Sequence, residues 1–190
     1  PGPDGVGVRT RPIKGTRPSD RTVDELAASE KDAAELNMII DLMRNDLGRV
    51  CRIGSIEVSQ PRSIETHPTV HHGIAEVSGV LRPELGVADL ILAAFPPGSV
   101  TGAPKIQAMR IIDELEPVRR GPYCGAIGWI DDSGFSVLNV AIRTITATGT
   151  PGAAPDEIDG RLDYHAGCGI VAESDPHEEY LESLDKAEVF

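Results

Sequence analysis

The sequence predicts an α+β fold, with antiparallel sheet layers and helices packed outside them. Short β-rich runs follow one another between residues 51 and 81, and a hairpin pattern occupies residues 123–148. Helical periodicity appears in separate blocks and does not alternate with single strands. Long antiparallel segments with helices grouped beside them favour this class over a doubly wound parallel sheet.

The first half of the chain begins with a short strand and a long helix. Alternation over residues 6–10 predicts the strand, and residues 12–16 (PIKGT) are predicted to be the loop that leaves it. Apolar residues recur at helical spacing over residues 23–47, and Gly48 is placed to end that helix. The β-rich runs that follow are residues 55–58, 63–66 and 70–81.

The second half mixes helices with a hairpin. Helices are predicted over residues 87–95 and 103–116, joined by the loop PPGSVTGAPK. The hairpin has strands 123–130 and 135–148 around the turn DDSG. The remaining predicted elements are a loop over 149–160, a strand over 162–171, and a last helix that starts at Asp175 with Pro176 in its first position.

Composition limits the classes of function. A chain of 190 residues can bury one sizeable core. The net charge of −12 argues against a nucleic-acid partner or an acidic membrane, because such binding depends on clustered Lys and Arg. No stretch of 18 apolar residues occurs. The three cysteines fit neither a disulfide framework nor a zinc site, so we expect a reducing, cytoplasmic compartment.

Two pairs of carboxylates stand at helical spacing. Asp32 and Glu35 are three residues apart, as are Glu179 and Glu182, so each pair would direct its acids to one side of a helix. Brought together, the pairs would repel unless a cation lay between them, and Mg²⁺ prefers oxygen ligands. Two solvated faces of an acidic protein are the simpler alternative.

Four other features allow both a functional and a structural interpretation. The loop GSVTGAPK leads into a helix and indicates either an anion site or an ordinary helix start. Arg143 interrupts an apolar strand, where a structural ion pair would also explain it. His71 and His72 point to opposite faces of a strand, so only one can serve a given site. Lys14 is either a surface charge or a desolvated nucleophile.

Taken together, several long motifs resemble the carboxyl-terminal half of the chorismate-utilising enzymes. They occur in the family's order along nearly the whole chain: PIKGTRP, KDAAEL, DLMRNDLGRV, TVHHG, FPPGSVTGAPK, RGPYCGAIGW, NVAIRT and AGCGIVAESDPHEEY. The resemblance implies that residues 1–190 are the carboxyl-terminal portion of one chorismate-binding catalytic domain. The amino-terminal half, which carries the family's general-acid glutamate, would then lie upstream of this sequence.

The resemblance also assigns residues to roles. It implies Mg²⁺ as the cofactor and chorismate as the substrate. The implied metal-binding residues are Asp32, Glu35, Glu179 and Glu182. The implied catalytic residues are Lys14, His72 and Ser99. The implied substrate-binding residues are Thr16, Tyr123, Arg143, Gly167, Gly169 and Lys186. Leu36 and His67 depart from the residues that are common in the family at those positions.

Within the family, Lys14 of PIKGT resembles the lysine of the aminodeoxychorismate synthases, where anthranilate and salicylate synthases usually carry Ala. This implies amination of chorismate to 4-amino-4-deoxychorismate, with ammonia supplied by a glutamine amidotransferase subunit or domain. Anthranilate synthesis is the alternative within the enzyme class. A chorismate-binding fragment without catalysis is the alternative of another class.

Overall fold

The computed structural model describes residues 5–152, 158–172 and 174–188. It forms two compact units, Pro1–Lys105 and Ile106–Phe190, called here the first and second unit. Both contain helices and antiparallel strands, which confirms the predicted α+β class. The strands are β1 Gly7–Thr10, β2 Ile13–Pro18, β3 Glu57–Thr66, β4 Val70–Val80, β5 Ala126–Ile130, β6 Ser136–Val140, β7 Ile145–Pro151 and β8 Ile158–Tyr164. The helices are α1 Val23–Ala27, α2 Glu30–Gly48, α3 Val87–Ala94, α4 Lys105–Leu115 and α5 Pro176–Asp185.

Strand β4 is the centre of the sheet in the first unit. It pairs with β3 along one edge. Its other edge pairs with β1 near its carboxyl end and with β2 near its amino end, and all three pairings are antiparallel. Strands β1 and β2 are therefore held in succession on the same edge, and the position of β2 follows from its register with β4.

The core of the first unit lies between the sheet and α2. Alternate residues of β4, such as Ala75 and Val77, are fully buried against Leu36, Ile40 and Leu47 of the helix. Burying each such leucine contributes about 2 kcal/mol to folding. The helical spacing of the apolar residues therefore predicted the face of α2 that packs on the sheet.

The predicted single helix over residues 23–47 is wrong in one respect, because the chain breaks it into α1 and α2. Ser29 lies between them with extended backbone angles, and its hydroxyl accepts a hydrogen bond from the N–H of Asp32 at 3.2 Å. That bond satisfies a free N–H group at the start of a helix, so a new helix begins there. Gly48 is the last residue of α2 and Arg49 caps it.

Residues 12–16 were predicted to be a loop, and this is also wrong. They belong largely to β2, which pairs with β4 through a shift in register between Ile13 and Thr16. The irregularity surrounds Gly15, whose φ of +83° suits glycine. A β-carbon at Gly15 would lie 2.8 Å from Cδ1 of Leu26 and 3.0 Å from Cβ of Asp32. Strand β2 therefore approaches the helices closely at this glycine.

The second unit contains two separate hairpins, β5–β6 and β7–β8. The predicted strand over residues 135–148 is interrupted by residues 141–144, where Arg143 has a φ of +53°. The predicted strand over residues 162–171 ends at Tyr164, and irregular backbone follows. Both ends of the predicted loop over 149–160 are strand, because residues 149–151 belong to β7 and residues 158–160 to β8, while residues 153–157 lie outside the described part of the chain.

The remaining helices agree with their sequence signals. Helix α3, Val87–Ala94, is one residue shorter than predicted, and α4 begins at Lys105, two residues later than predicted. Asp175 caps α5 by accepting hydrogen bonds from the N–H groups of His177 and Glu178, with Pro176 as the first helical residue. Among the described residues, no helix combines the length and apolar character needed to cross a membrane.

Replacing Gly15 with alanine should destabilise the first unit by about 2 to 4 kcal/mol, because the methyl group meets α1 and α2 in a backbone conformation that strains alanine. Gly7→Ala is the matched control, since a methyl group there would meet no atom within 4 Å. Its effect should be within about 0.5 kcal/mol. Urea unfolding of both variants measures the difference, and equal stabilities would contradict the close approach of β2 to the helices.

Candidate functional site

Strand β2 and helix α2 form two neighbouring ion pairs in the first unit. Nζ of Lys14 lies 2.5 Å from Oε2 of Glu35. A guanidinium nitrogen of Arg17 donates to Oδ2 of Asp32 at 2.9 Å. Each basic residue on the strand therefore meets one acid of the predicted metal-binding pair on the helix. The sequence analysis did not identify Arg17, although PIKGTRP places it three residues after Lys14.

The ion pair between Lys14 and Glu35 is accessible to solvent. The side chain of Lys14 is 39% exposed and that of Glu35 is 30% exposed. A pair this accessible contributes at most about 1 kcal/mol to stability, because water screens it. The arrangement therefore leaves Lys14 and Glu35 available to other partners at little energetic cost.

Thr16 connects β2 to the predicted site histidine. A hydrogen bond of 2.9 Å joins the Thr16 hydroxyl to Nδ1 of His72. Burial lowers the pKa of His72, and the nearby His67 lowers it further, while Glu65 opposes the shift. The neighbouring His71 is buried and bonds instead to the hydroxyl of Thr66. The two histidines thus have separate surroundings, as their adjacency on a strand predicted.

Ser99 lies in a short 3₁₀ helix, Gly98–Val100, within the predicted anion loop. The loop packs on α2, because a β-carbon at Gly98 would lie 3.0 Å from Cδ1 of Leu42. Leu42 is seven residues, or about two turns, beyond Glu35. Ser99 itself is exposed. Its predicted role depends on a loop that α2 holds in place.

An ion pair that the sequence analysis missed fixes the end of this loop. Nζ of Lys105 donates to Oδ2 of Asp46 at 2.8 Å and to the carbonyl of Ala93 at 3.3 Å. The side chains are 17% and 4% exposed, so the pair is nearly buried. The available signal was Asp46 itself, an acid between apolar positions of a helix, which needs a partner when buried.

Lys186 contacts several neighbouring residues of the second unit through its side chain and its backbone carbonyl. Its Nζ lies 2.5 Å from Oε1 of Glu182 and 3.2 Å from the carbonyl of Gly167. Its own carbonyl accepts a hydrogen bond from the Tyr164 hydroxyl at 3.0 Å. Burial lowers the pKa of Lys186, but the contacts with Glu182 and Cys168 together outweigh that effect, so the net pKa is raised. Lys186 therefore holds the irregular backbone around Gly167 against α5.

Glu179 has a carboxylate oxygen that could accept a cation. Its Oε1 accepts a hydrogen bond from Ser174 at 2.6 Å. Its Oε2 is buried without a hydrogen-bond partner among the described residues. Ligand atoms of Glu179, Glu182 and Cys168 all lie within 4.8 Å of one another. Two convergent carboxylates, one with an unsatisfied buried oxygen, fit the oxygen ligands that Mg²⁺ prefers, whereas the thiol does not.

Tyr123 packs beside the Gly167 backbone. Its ring stacks on His165 with centroids 5.4 Å apart. A β-carbon at Gly167 would lie 2.9 Å from the Tyr123 hydroxyl, so glycine is required for this approach. Burial raises the pKa of Tyr123 to about 12, and the neighbouring Cys124 adds to the shift. Tyr123 therefore presents a neutral hydroxyl over the usual pH range. A β-carbon at Gly169 would meet no atom within 4 Å.

The second unit concentrates its unusual backbone conformations near Tyr123. Cys124 and Arg143 both have positive φ, +61° and +53°, which is rare outside glycine. A backbone hydrogen bond of 2.9 Å joins the N–H of Cys124 to the carbonyl of Ala141, two residues before Arg143. Within the described part of this unit, no carboxylate pairs with Arg143. Such strain concentrates at functional sites.

The structure thus gathers the predicted residues into two groups. In the first unit, one group contains the predicted residues Lys14, Thr16, Asp32, Glu35 and His72, with Ser99 further along α2. In the second unit, Tyr123, Gly167, Lys186, Glu179 and Glu182 are linked by direct contacts or shared neighbours, and Arg143 lies beyond Cys124. The meeting of the two carboxylate pairs around one ion concerns both units and stays a prediction, as do the individual roles.

Converging carboxylate oxygens are the kind of ligand that hard divalent cations prefer. The chain belongs to the chorismate binding enzyme family, whose model matches residues 4–190. The fold and the motifs of the predicted site are therefore those of a chorismate-utilising enzyme.

Curated relatives include two branches of this family. Aminodeoxychorismate synthase component 1 of Escherichia coli is 45% identical over 96% of this chain. The enzyme of the same name from Salmonella typhimurium is 47% identical over 94%. Anthranilate synthase component 1 of Synechocystis is 46% identical over 93%. The chain spans about two fifths of the length of these relatives: 40%, 39% and 35% respectively.

Solved structures agree on the fold. Anthranilate synthase component I of Streptococcus pneumoniae matches 96% of this chain and 39% of its own, with a TM-score of 0.77 at 37% identity. A putative 2,3-dihydroxybenzoate-specific isochorismate synthase of Bacillus anthracis matches 97% of this chain and 48% of its own, with a TM-score of 0.74 at 28% identity.

Replacing Asp46 with asparagine should cost about 3 kcal/mol of stability, because Lys105 would lose its charged partner in a nearly buried place. Asp41→Asn on the same helix is the control, since its pair with Arg44 is largely exposed. That change should cost less than about 0.5 kcal/mol. Chemical denaturation compares the two, and similar losses would show that the Asp46–Lys105 pair is not important for the loop.

The lowered pKa of His72 predicts a pH dependence of stability. Below the ordinary histidine value of 6.5, the unfolded chain binds a proton that the folded His72 resists, so the free energy of unfolding decreases as the pH falls. His72→Asn, which can keep a bond to Thr16, should reduce that decrease. His177→Asn, at the exposed start of α5, should leave it unchanged. Unfolding curves between pH 7 and pH 5 measure both, and identical slopes in the two variants would contradict the assignment.

Proposed function

We propose that the protein containing this chain converts chorismate to 4-amino-4-deoxychorismate, using Mg²⁺ and ammonia from a glutamine amidotransferase partner. The observation that carries the proposal is Lys14, an amine placed 2.5 Å from Glu35 beside the acids of α2. Relatives named aminodeoxychorismate synthase component 1, at 45% and 47% identity, support this choice. The words "component 1" describe one part of a multi-component enzyme and support a separate partner.

In the proposed reaction, the Lys14 ammonium first gives a proton to solvent. Its amine then forms a bond to C2 of the chorismate ring while the C4 hydroxyl leaves as water. Ammonia then forms a bond to C4, and the bond between C2 and Lys14 breaks. A general acid would supply the proton that converts the leaving hydroxyl to water. Lys14 is thus the proposed nucleophile, and covalent catalysis divides one difficult substitution into two steps.

Mg²⁺, when bound, would neutralise a substrate carboxylate and ease the loss of the hydroxyl. Asp32, Glu35, Glu179 and Glu182 are the proposed residues that hold it. The unpartnered Oε2 of Glu179 and the convergence of Glu179 with Glu182 support this proposal. The carboxylates offer the oxygen ligands that a hard cation prefers.

Other residues of the chain would bind the organic substrate. Arg143 offers a guanidinium that no carboxylate of the described second unit neutralises, so it could bind the second carboxylate of chorismate. Tyr123 offers a neutral hydroxyl, while Gly167 and Gly169 allow close approach of the backbone. Thr16 and His72 offer a hydrogen-bonded pair, and Ser99 offers an exposed hydroxyl on the predicted anion loop.

Anthranilate synthesis is the second candidate, since the Synechocystis and Streptococcus pneumoniae relatives carry that name at 46% and 37% identity. Lys14 favours the first candidate, because anthranilate synthases usually have alanine at that place in the motif. A chorismate-binding protein without catalysis is the third candidate, and an assay of products separates it from both enzymes.

The deciding experiment incubates the whole protein with chorismate, ammonium and Mg²⁺ and identifies the products by chromatography and mass spectrometry. Wild type should form 4-amino-4-deoxychorismate. Lys14→Ala should lower that rate by about 100-fold or more, because the covalent route needs the amine. Lys31→Ala is the matched control, since Lys31 also lies near Glu35 but is highly exposed.

Full activity in Lys14→Ala would show that Lys14 is not the nucleophile. Anthranilate from the wild-type protein would select the second candidate. Chorismate binding with no product would select the third.

A further inference from the structure

Three of the four proposed metal-binding carboxylates already have a cationic partner. Glu35 meets Lys14 at 2.5 Å, and Glu182 meets Lys186 at 2.5 Å. Asp32 meets Arg17 at 2.9 Å. A carboxylate oxygen that accepts an ammonium at this distance cannot bind a metal ion without losing or weakening that contact, because the two cations would repel. A metal ion that binds the same oxygen atoms must therefore displace these bases.

Lys14 is the base whose displacement matters for chemistry. Its ammonium is a point charge on a flexible stem, whereas Arg17 has a rigid, planar group that favours its existing geometry. Its side chain is partly exposed, so the pair with Glu35 costs little to open. Glu35 is at the same time a proposed metal ligand, and Lys14 the proposed nucleophile.

We propose that Lys14 and the divalent ion compete for Glu35, so that metal binding releases the Lys14 side chain from α2. The inference rests on the proposed function, which supplies the metal ion and the role of the amine. In the metal-free protein, Glu35 holds Lys14 in an ion pair. Once the ion binds Glu35, Lys14 turns away and becomes available to a bound substrate. The order of events would keep the amine paired until the metal is present.

Metal affinity tests the competition directly. Titration of the whole protein with Mn²⁺, followed by electron paramagnetic resonance, gives the dissociation constant without an activity assay. Lys14→Met should tighten Mn²⁺ binding by about three- to tenfold, because the ion no longer displaces a bound ammonium. Lys14→Arg keeps the competing charge and should bind Mn²⁺ within about twofold of wild type.

Lys31→Met is the control for charge alone. Nζ of Lys31 lies 4.0 Å from Oε1 of Glu35, and its side chain is 85% exposed. Its removal should change the dissociation constant by less than about twofold. If Lys14→Met leaves the affinity unchanged or weaker, or if Lys31→Met tightens it equally, the competition is refuted.

Chemical labelling of the unmodified protein provides a second measurement that does not depend on any variant folding. Acetylation of each lysine, followed by mass spectrometry, should show faster modification of Lys14 when Mg²⁺ is added. Lys31 should react at the same rate with and without the ion. An unchanged rate at Lys14 would overturn the inference.

The outcomes also separate this inference from the proposed function. Formation of 4-amino-4-deoxychorismate by a wild-type protein whose Lys14→Met variant binds Mn²⁺ no more tightly would refute the competition and leave the proposed function in place. Metal binding that does tighten in Lys14→Met, in a protein that forms no aminated product, would refute the function and support the competition. If the wild-type protein binds no divalent ion, both the proposed metal site and the proposed competition for Glu35 are refuted.

Discussion

The close approach of β2 to α2 at Gly15 is the constraint from which the first-unit site follows. Because glycine leaves no β-carbon between strand and helix, Lys14 and Arg17 can reach the two acids on the first turns of α2. The same stretch of β2 pairs with β4 and brings Thr16 to His72. One glycine with a positive φ thus allows the register of β2 in the sheet to determine where the side chains of Lys14, Thr16 and Arg17 lie.

The protein has a net charge of −12, yet its predicted site is built from compensated acids. A lysine or arginine lies against Asp32, Glu35 and Glu182. Glu179 has a serine on one oxygen, and its other oxygen has no hydrogen-bond partner in the described part of the chain. The paired bases offset the repulsion between neighbouring acids on these two helix turns. A cation that bound the paired oxygen atoms would compete with those bases, whereas Oε2 of Glu179 has no hydrogen-bond partner among the described residues that would have to leave.

Sequence patterns predicted those features that depend on local periodicity. The apolar face of α2, the cap of α5 and the hairpin around DDSG all follow from residues close together in the chain. The break before α2 had a readable signal, because Ser29 followed three residues later by Asp32 is a capping pattern. Glycines in AGCGIV similarly weaken a strand and could have indicated that β8 ends early.

Other features could not be read from the sequence. The Asp46–Lys105 pair joins residues 59 positions apart, and no local pattern predicts which lysine a buried aspartate will meet. Arg143 lies in a run whose alternation continues through VLNVAIRTI, but the backbone leaves the strand at residue 141. The alternation of apolar and polar residues indicates which side chains are buried in a strand. It does not show that the backbone of one residue has a positive φ. The roles of Tyr123 and Lys186 depended on family resemblance, because their partners come from distant parts of the second unit.

The left-handed backbone at Arg143 affects how mutagenesis at this position must be interpreted. Any L-residue placed there must adopt the conformation that arginine tolerates at a cost, so a loss of function in an alanine variant combines side-chain removal with altered backbone preference. Glycine relieves the strain and alanine keeps it, which makes the two truncations unequal although both remove the guanidinium. Replacement of Arg143 with lysine preserves the positive charge but removes the planar arrangement of hydrogen-bond donors that a guanidinium has. The contribution of the guanidinium can therefore be separated only by comparing replacements of matched backbone preference, and a single alanine scan would overstate or understate it.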